Sequence, residues 1–389
     1  MNASSPNKVP HILFLFSDTG GGHRSAATAI IGALEAEFPG QATWEMLDFF
    51  KHYAPPPFDT APDTYAPMAQ IPDLWELGFI ASNQRITARA IQRVLWPYVR
   101  KAVARLIAEH PCDMLLSVHP IINTPLLRGL PKDRPPYLVV VTDMVSTHQW
   151  WYTPQADLTI VPTEEARQRG ISLGLDPKRM HVVGLPIARQ FAAPMAKPQA
   201  RNKLELPQDI PLVLMVSGGE GMGPLEETVR AIINQRVPVG MVIITGKNAD
   251  LKARLESLDF PYPAAIRGFV DNMPDYMQAC DVIITKAGPG TISEAFTAGL
   301  PILLYSKMPG QEDGNVDYVV NHEAGVWMDD PAGVAETLQR WIDNPVEMRK
   351  FSQNSLNLAR PDSSKIIAQT AMAMLGRYPF EQIHYYDQS

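Results

Sequence analysis

The sequence predicts an α/β protein made of two doubly wound domains, each a parallel sheet covered by helices on both faces. Short apolar runs alternate with helix-like stretches over nearly the whole length. Each half opens on the same pattern, an apolar run closed by a glycine turn: "ILFLFSDTGGGH" in the first and "LVLMVSGGEGMG" in the second. The 389 residues are enough for two domains with separate cores. Runs that are apolar throughout, rather than at every second position, belong to strands buried on both faces of a parallel sheet.

Taken in order, the expected strands of the first half are Ile12–Phe16, Thr43–Leu47, Met114–Val118, Tyr137–Val141 and Leu158–Val161. Those of the second half are Leu212–Val216, Val239–Thr245, Ala264–Ile266, Val282–Thr285 and Ile302–Tyr305. After the first strand, Ala26, Ala29, Ile30, Ala33, Leu34 and Phe38 recur at the spacing of one helical face. The expected division is a first domain over 1–190, a proline-rich linker over 191–207, a second domain over 208–365 and a helical tail over 366–389 that packs back on the first domain. Two such domains are expected to face each other across a cleft at the carboxyl ends of their strands. Two segments break the rhythm. Residues 52–80 mix six prolines with Tyr53, Phe58, Tyr65, Trp75 and Phe79, and read as a long functional loop. Residues 85–105 carry Arg85, Arg89, Arg93, Arg100, Lys101 and Arg105 without an acidic residue; the first three line one helical face, and Pro97 kinks or divides the helix.

Composition narrows the function. A net charge of -7 argues against general nucleic-acid binding. The two cysteines, Cys112 and Cys280, each precede an aspartate and an apolar run, and read as buried free thiols. The opening "MNASSPNKVP" lacks the apolar core of a signal peptide, and no run is long enough to span a membrane. The expected location is the cytoplasm, with any membrane met from its surface.

The glycine turns carry the chemistry. In "SDTGGGHRSA", Gly20 and Gly22 match the first two glycines of a dinucleotide fingerprint, but Ser25 stands at the third position and Asp48 falls late for a ribose partner. The turn also reads as a plain strand-to-helix connection. A third reading has Gly21 and Gly22 admitting an acceptor close to the backbone, with His23 in the first turn of a helix. The positive end of the helix dipole disfavours imidazolium there, which suits the ring to taking a hydroxyl proton. "SGGEGMGP", with Gly219 and Gly221, offers backbone N–H groups to phosphate, although no GK[ST] follows. "TKAGPGTISEA" offers a second such turn at Gly288, Gly290 and Thr291. There Thr291 and Ser293 are candidate caps, and Glu294 suits the two hydroxyls of a ribose. In "YSKMPGQEDGNVDY", Gln311, Glu312 and Asn315 present groups that match hexose hydroxyls, or else a polar loop entering a helix. Two phosphate-friendly turns in one domain point to a nucleotide diphosphate.

These motifs, with "VTDMVSTHQWWYTPQADLTIVPTEEA" and "VGLPI", resemble the monogalactosyldiacylglycerol synthases, a branch of the peptidoglycan-type glycosyltransferases of family 28 with the GT-B fold. The resemblance runs in order through most of residues 10–330 and is weakest over 50–110 and past 340. The second-domain motifs are closer to the plant and phototroph synthases than to the diacylglycerol glucosyltransferases of Gram-positive bacteria. It implies a UDP-galactose or UDP-glucose donor in the second domain, with Phe269 at the uracil, Glu294 at the ribose, and the Gly288–Thr291 turn and Lys286 on the diphosphate side. Gln311, Glu312 and Asn315 would hold the sugar. In the first domain His23 matches the candidate base, and Asp143 and His148 orient the acceptor or the base. Trp150 and Trp151 pack against an acyl-glycerol or fill core. The implied reaction is an inverting transfer to diacylglycerol, with no metal or other cofactor required.

A lipid acceptor implies peripheral attachment to the inner face of a membrane. The Arg85, Arg89, Arg93 stripe would meet anionic lipid, and Phe58, Trp75 or Phe79 of the 52–80 segment would enter the interface. Rival readings are a nicotinamide dehydrogenase, a sugar-nucleotide epimerase, a transferase to another lipid acceptor and a non-catalytic UDP-sugar sensor.

Overall fold

The computed structural model describes residues 8–18, 21–54, 60, 72–193, 195–217 and 223–386; of the side chains, those of 72–74, 85–92, 94, 95 and 98 are also outside the description. The chain divides into two compact units, Met1–Arg189 together with Asp362–Ser389, and Gln190–Pro361. Each contains one six-stranded sheet in which every pairing is parallel.

The first sheet has the order β2-β1-β3-β4-β5-β6. Its strands are β1 (His11–Phe16), β2 (Thr43–Asp48), β3 (Met114–Ser117), β4 (Tyr137–Val140), β5 (Leu158–Val161) and β6 (Met180–Val182). The central strands are buried along their length, as continuous apolar runs require. One face packs Ile12, Phe14 and Leu116 against Ile30 and Leu34 of the helix Gly22–Glu37 and against Ile367, Ala371 and Met372 of the helix Ser363–Met374. The other packs Leu13, Leu15 and Val139 against Phe49, Phe50, Leu126 and Trp151.

The second sheet has the order β12-β11-β10-β7-β8-β9. Its strands are β7 (Leu212–Val216), β8 (Gly240–Ile244), β9 (Ala264–Arg267), β10 (Val282–Lys286), β11 (Ile302–Ser306) and β12 (Gly325–Trp327). In each sheet the aspartate that follows a cysteine latches the first strand. Asp113 accepts the His11 N–H at 2.8 Å, and Asp281 accepts the Leu212 N–H at 2.8 Å. The cysteines beside them are buried or half-buried and free, and burial pushes the Cys112 thiol up to about 11, which leaves it unreactive.

Three sequence expectations change. The stretch read as a linker belongs to the second unit: it forms the helix Lys197–Lys203, whose Arg201 is 5% exposed. Arg201 donates to the carbonyls of Ala279, Pro207, Gln208 and Ile210 and to Asp281, so a cation sits where apolar periodicity was sought. Part of the segment read as a loop is the helix Pro72–Ser82. Of the two readings of Pro97, kink or division, division is excluded, because it lies inside a single helix, Arg85–Glu109.

Strand order reverses at two places. In the first unit β1 lies between β2 and β3, and in the second β7 lies between β8 and β10. A doubly wound sheet opens a crevice at the carboxyl ends of the strands at such a switch point. Those four strand ends, after β1, β3, β7 and β10, lead into the residues of interest.

Candidate active site

At the first switch point, Gly21 has φ 69 and forms the N-cap of the helix Gly22–Glu37. That left-handed conformation calls for glycine. Gly22 is different: a Cβ there would meet nothing within 4 Å, so the fold itself does not demand glycine at that position. His23 follows, half-buried in the helix's first turn. Its Nδ1 lies 2.9 Å from Thr142 Oγ1. Burial lowers its pKa to about 4, with a backbone hydrogen bond to Val118 pulling the other way, so the ring is neutral at physiological pH. Asp48, weighed as a ribose partner, is occupied by the fold. Its carboxylate accepts the Asp18 N–H at 3.0 Å and the Lys51 N–H at 3.1 Å.

His119 was absent from the sequence expectations. It lies two residues beyond β3, at the start of the helix Pro120–Gly129, 3% exposed, with its ring centroid 4.6 Å from that of His23. Burial, and then the nearby His23, lower its pKa well below the usual histidine range. The sequence signal, a histidine between an apolar run and Pro120, reads as an ordinary strand end. Only the β1–β3 pairing brings it to His23.

The "TDMVSTHQWW" residues support this site from beneath. Asp143, 8% exposed, accepts the Trp151 indole N–H at 2.7 Å and the His148 backbone N–H at 3.4 Å. Trp151 is fully buried in the core, which settles its alternatives: it cannot lie on a membrane or on an acyl chain. Both ring nitrogens of His148 are engaged. Nδ1 accepts the Trp150 N–H at 3.2 Å, which leaves the proton on Nε2 to be donated to Ser82 Oγ at 3.1 Å. Burial, then Arg169, lower its pKa to about 4. His148 therefore ties the 3₁₀ turn Gln149–Trp151 to the helix Pro72–Ser82 and has no nitrogen left for an acceptor proton. Trp150 is half-buried against His148, ring centroids 4.7 Å apart. Of the arginine stripe, Arg93 is exposed, and the side chains of Arg85 and Arg89 lie outside the described residues. Among the described side chains of the helix Pro72–Ser82, the exposed apolar ones are Leu77 at 66% and Ile80 at 48%, whereas Phe79 packs on His148 at 5.3 Å.

At the second switch point, Gly219 and Gly221 lie outside the described residues. The turn after β10 is described in full. The helix Pro289–Ala298 starts from Gly288 with no side-chain cap, so Thr291 and Ser293 lie inside the helix and do not cap it. Its first N–H groups, those of Gly290 and Thr291, have no partner within the helix, and a Cβ on Gly290 would meet open space. Lys286 Nζ sits 3.4 Å from the point where a Gly288 Cβ would stand. The turn thus combines helix-start N–H groups with an ammonium that is paired to Glu312, an arrangement of the kind that suits an anion.

Glu294 lies one turn further along the helix. Burial pushes its carboxyl up to about 8, and it makes no hydrogen bond or ion pair with the described residues. A carboxyl left without a partner in such surroundings is a marker of a binding site. Glu312 is the reverse. It is 3% exposed, and its two oxygens take Lys286 Nζ at 2.5 Å and the Met308 N–H at 2.8 Å. Asn315 donates to the Ala287 carbonyl at 2.9 Å. Both residues therefore brace the turn, and Gln311, half-buried on the same loop, is the sugar candidate whose side chain makes no hydrogen bond to a described residue. Phe269 projects from the loop after β9 with 69% of its surface exposed, an open face for stacking. Among the described residues no group of three or more His, Cys, Asp or Glu stands close enough to hold a metal ion.

Comparison with known proteins decides the family. The profile described as "Monogalactosyldiacylglycerol (MGDG) synthase" matches residues 23–187, and that of the "Glycosyltransferase family 28 C-terminal domain" matches 213–369. A probable monogalactosyldiacylglycerol synthase 2 of Oryza sativa subsp. japonica is 38% identical over 367 residues, covering 91% of this chain and 78% of that protein. The chain belongs to the monogalactosyldiacylglycerol synthase family. It is a glycosyltransferase. A second member, the monogalactosyldiacylglycerol synthase of Spinacia oleracea, is 35% identical over 377 residues, covering 93% of this chain and 72% of that one. The fold agrees: the crystal structure of Acinetobacter baumannii MurG superposes with a TM-score of 0.62 at 14% identity, covering 94% of this chain and 99% of that chain. Within this family, then, the GT-B fold expected from the sequence is the fold of the chain.

Proposed function

We propose that this synthase-family enzyme moves galactose or glucose from a UDP-sugar to the sn-3 hydroxyl of 1,2-diacylglycerol, with inversion, to give a β-monoglycosyldiacylglycerol. The observation that carries the reading is His23, an imidazole kept neutral by burial in the first turn of its helix. The reading requires that the Thr142 and Val118 hydrogen bonds both fall on Nδ1, so that the Nε2 lone pair takes the acceptor proton. The freed oxygen attacks the anomeric carbon, the bond to the diphosphate breaks, and its electron pair leaves with UDP. A general base supplies about 10²–10⁴-fold. The N–H groups of Gly290 and Thr291 and the Lys286 ammonium would receive the charge on the departing diphosphate. Glu294 would accept hydrogen bonds from the ribose, Phe269 would cover the uracil, and Gln311 would meet the sugar. In this scheme no divalent ion is needed, and donor binding should survive chelation with EDTA.

Diacylglycerol stays in a bilayer, so the enzyme must work at its surface. No helix among the described residues is long and apolar enough to cross a membrane. Leu77 and Ile80, followed in the chain by the arginine-rich helix, offer an apolar and basic surface for peripheral docking. Each basic residue near an anionic surface adds about 1 kcal/mol. Flotation with and without anionic lipid checks this: equal recovery on neutral liposomes would discard the electrostatic part.

The deciding assay supplies radiolabelled UDP-galactose or UDP-glucose with diacylglycerol and extracts the lipid. Labelled β-glycolipid is expected from the intact chain. His23→Ala should abolish transfer with UDP affinity unchanged, and retained turnover would remove His23 from the role.

A further inference from the structure

The described residues give His23 no carboxylate partner. Its surroundings are Thr142, the Val118 backbone and aromatic rings. A histidine base is commonly oriented and its cation stabilised by a buried acid; here a hydroxyl, Thr142 Oγ1, meets Nδ1, and aromatic rings pack against the imidazole. His119 lies edge to face against His23, centroids 4.6 Å apart and planes at 64°. Trp151 stands at 6.1 Å and 52°, with its indole fixed by Asp143. His119 is itself held from behind by Phe50, at 5.5 Å and 68°. The two rings that face His23, those of His119 and Trp151, lie at or near the distance at which a cation gains from an aromatic face.

Resting on the reading of His23 as the base, we propose that His119 is its positioning residue, a packed ring that orients the His23 imidazole and supports the imidazolium formed when the acceptor proton arrives. His119 exchanges no proton. The acceptor O–H bond breaks, the proton passes to His23, the oxygen bonds to the anomeric carbon, and the diphosphate leaves with the electron pair. Because burial already keeps His119 uncharged, it does not repel the new cation. The interaction strengthens only as charge develops, so it belongs to the transition state and should act on kcat rather than KM. The same logic gives Asp143 its place: it acts through the Trp151 ring and not on substrate.

The test compares His119→Leu, which removes the ring, with His119→Phe, which restores a ring that cannot titrate. Both are assayed as full-length protein with radiolabelled UDP-galactose or UDP-glucose, whichever the wild type turns over, and diacylglycerol in mixed micelles. His119→Leu is expected to lower kcat about tenfold with KM for the donor within about twofold. His119→Phe is expected to recover all but about threefold of the rate. A leucine variant at the wild-type rate overturns the proposal, and so does a phenylalanine variant as slow as leucine. Should His119→Leu fail to fold, His119→Gln takes its place as the ringless variant. His23→Ala run alongside separates the two readings: if it is inactive while the ringless variant is normal, only the role of His119 falls. If His23→Ala turns over, the base assignment falls and takes this inference with it.

Discussion

At the scale of single residues, two carboxylates of the second unit differ in their surroundings. Glu312 is fully engaged by Lys286 and Met308 and shapes the turn, whereas Glu294 has no partner among the described residues and a raised pKa. If ribose hydroxyls donate to the Glu294 carboxylate, a proton on that group competes with the nucleotide. UDP affinity should therefore rise with pH towards about 8 and level off above it. Glu294→Gln should bind UDP more weakly and lose that pH dependence, which calorimetry at several pH values would show. The sequence displayed both glutamates beside glycine turns, and nothing in their spacing told an engaged carboxylate from a waiting one. That distinction comes from the backbone N–H of Met308 and from the reach of Lys286, neither visible in a pattern. The same holds for His148, whose two nitrogens are taken by Trp150 and Ser82. Asp143→Ala should destabilise the first unit by about 1.5–3 kcal/mol, the usual worth of a hydrogen bond to a charged group, measured by urea unfolding.

At the scale of elements, the long central strands were readable because each is an unbroken apolar run bounded by turn residues. The edge strands Met180–Val182 and Gly325–Trp327 were not, being three residues each with no pattern of their own; their neighbours β5 and β11 hold them in place. The helix Pro72–Ser82 was hidden by the prolines around it, and Pro72 itself sits at its first position, where a missing N–H costs nothing. The helix Lys197–Lys203 was hidden because its anchor is a buried arginine. Arg201→Ala leaves Asp281 and four carbonyls without that partner, and should cost about 3–5 kcal/mol in the second unit. The helix Ser363–Met374 buries Ile367 completely beside Ile30 and Leu34. Ile367→Ala should cost about 2–5 kcal/mol, and the loss should appear in the first unit, although the residue lies near the end of the chain.

At the scale of the whole molecule, acid should act on the two units differently. His23, His119 and His148 all belong to the first unit, and burial lowers the pKa of each. Their contribution to stability is complete above the unfolded value of about 6.5 and falls as pH drops towards the folded values. Each ring withdraws up to about 1.4 kcal/mol per pH unit. The second unit has His322 as its single histidine. Its Glu294, raised by burial, favours the folded state increasingly as pH falls from about 8. Hydrogen exchange resolved by peptide should show the first unit opening before the second near pH 5. Chain order adds another asymmetry. The second unit is one uninterrupted stretch, whereas the first is completed by residues from Asp362 onward. On an emerging nascent polypeptide, the later-encoded lobe can close while the earlier one still lacks the helix that seals Phe14 and Leu34. The unit that bears His23 would be the last to mature, and pulse proteolysis during synthesis should find the second unit resistant while the first is still digestible.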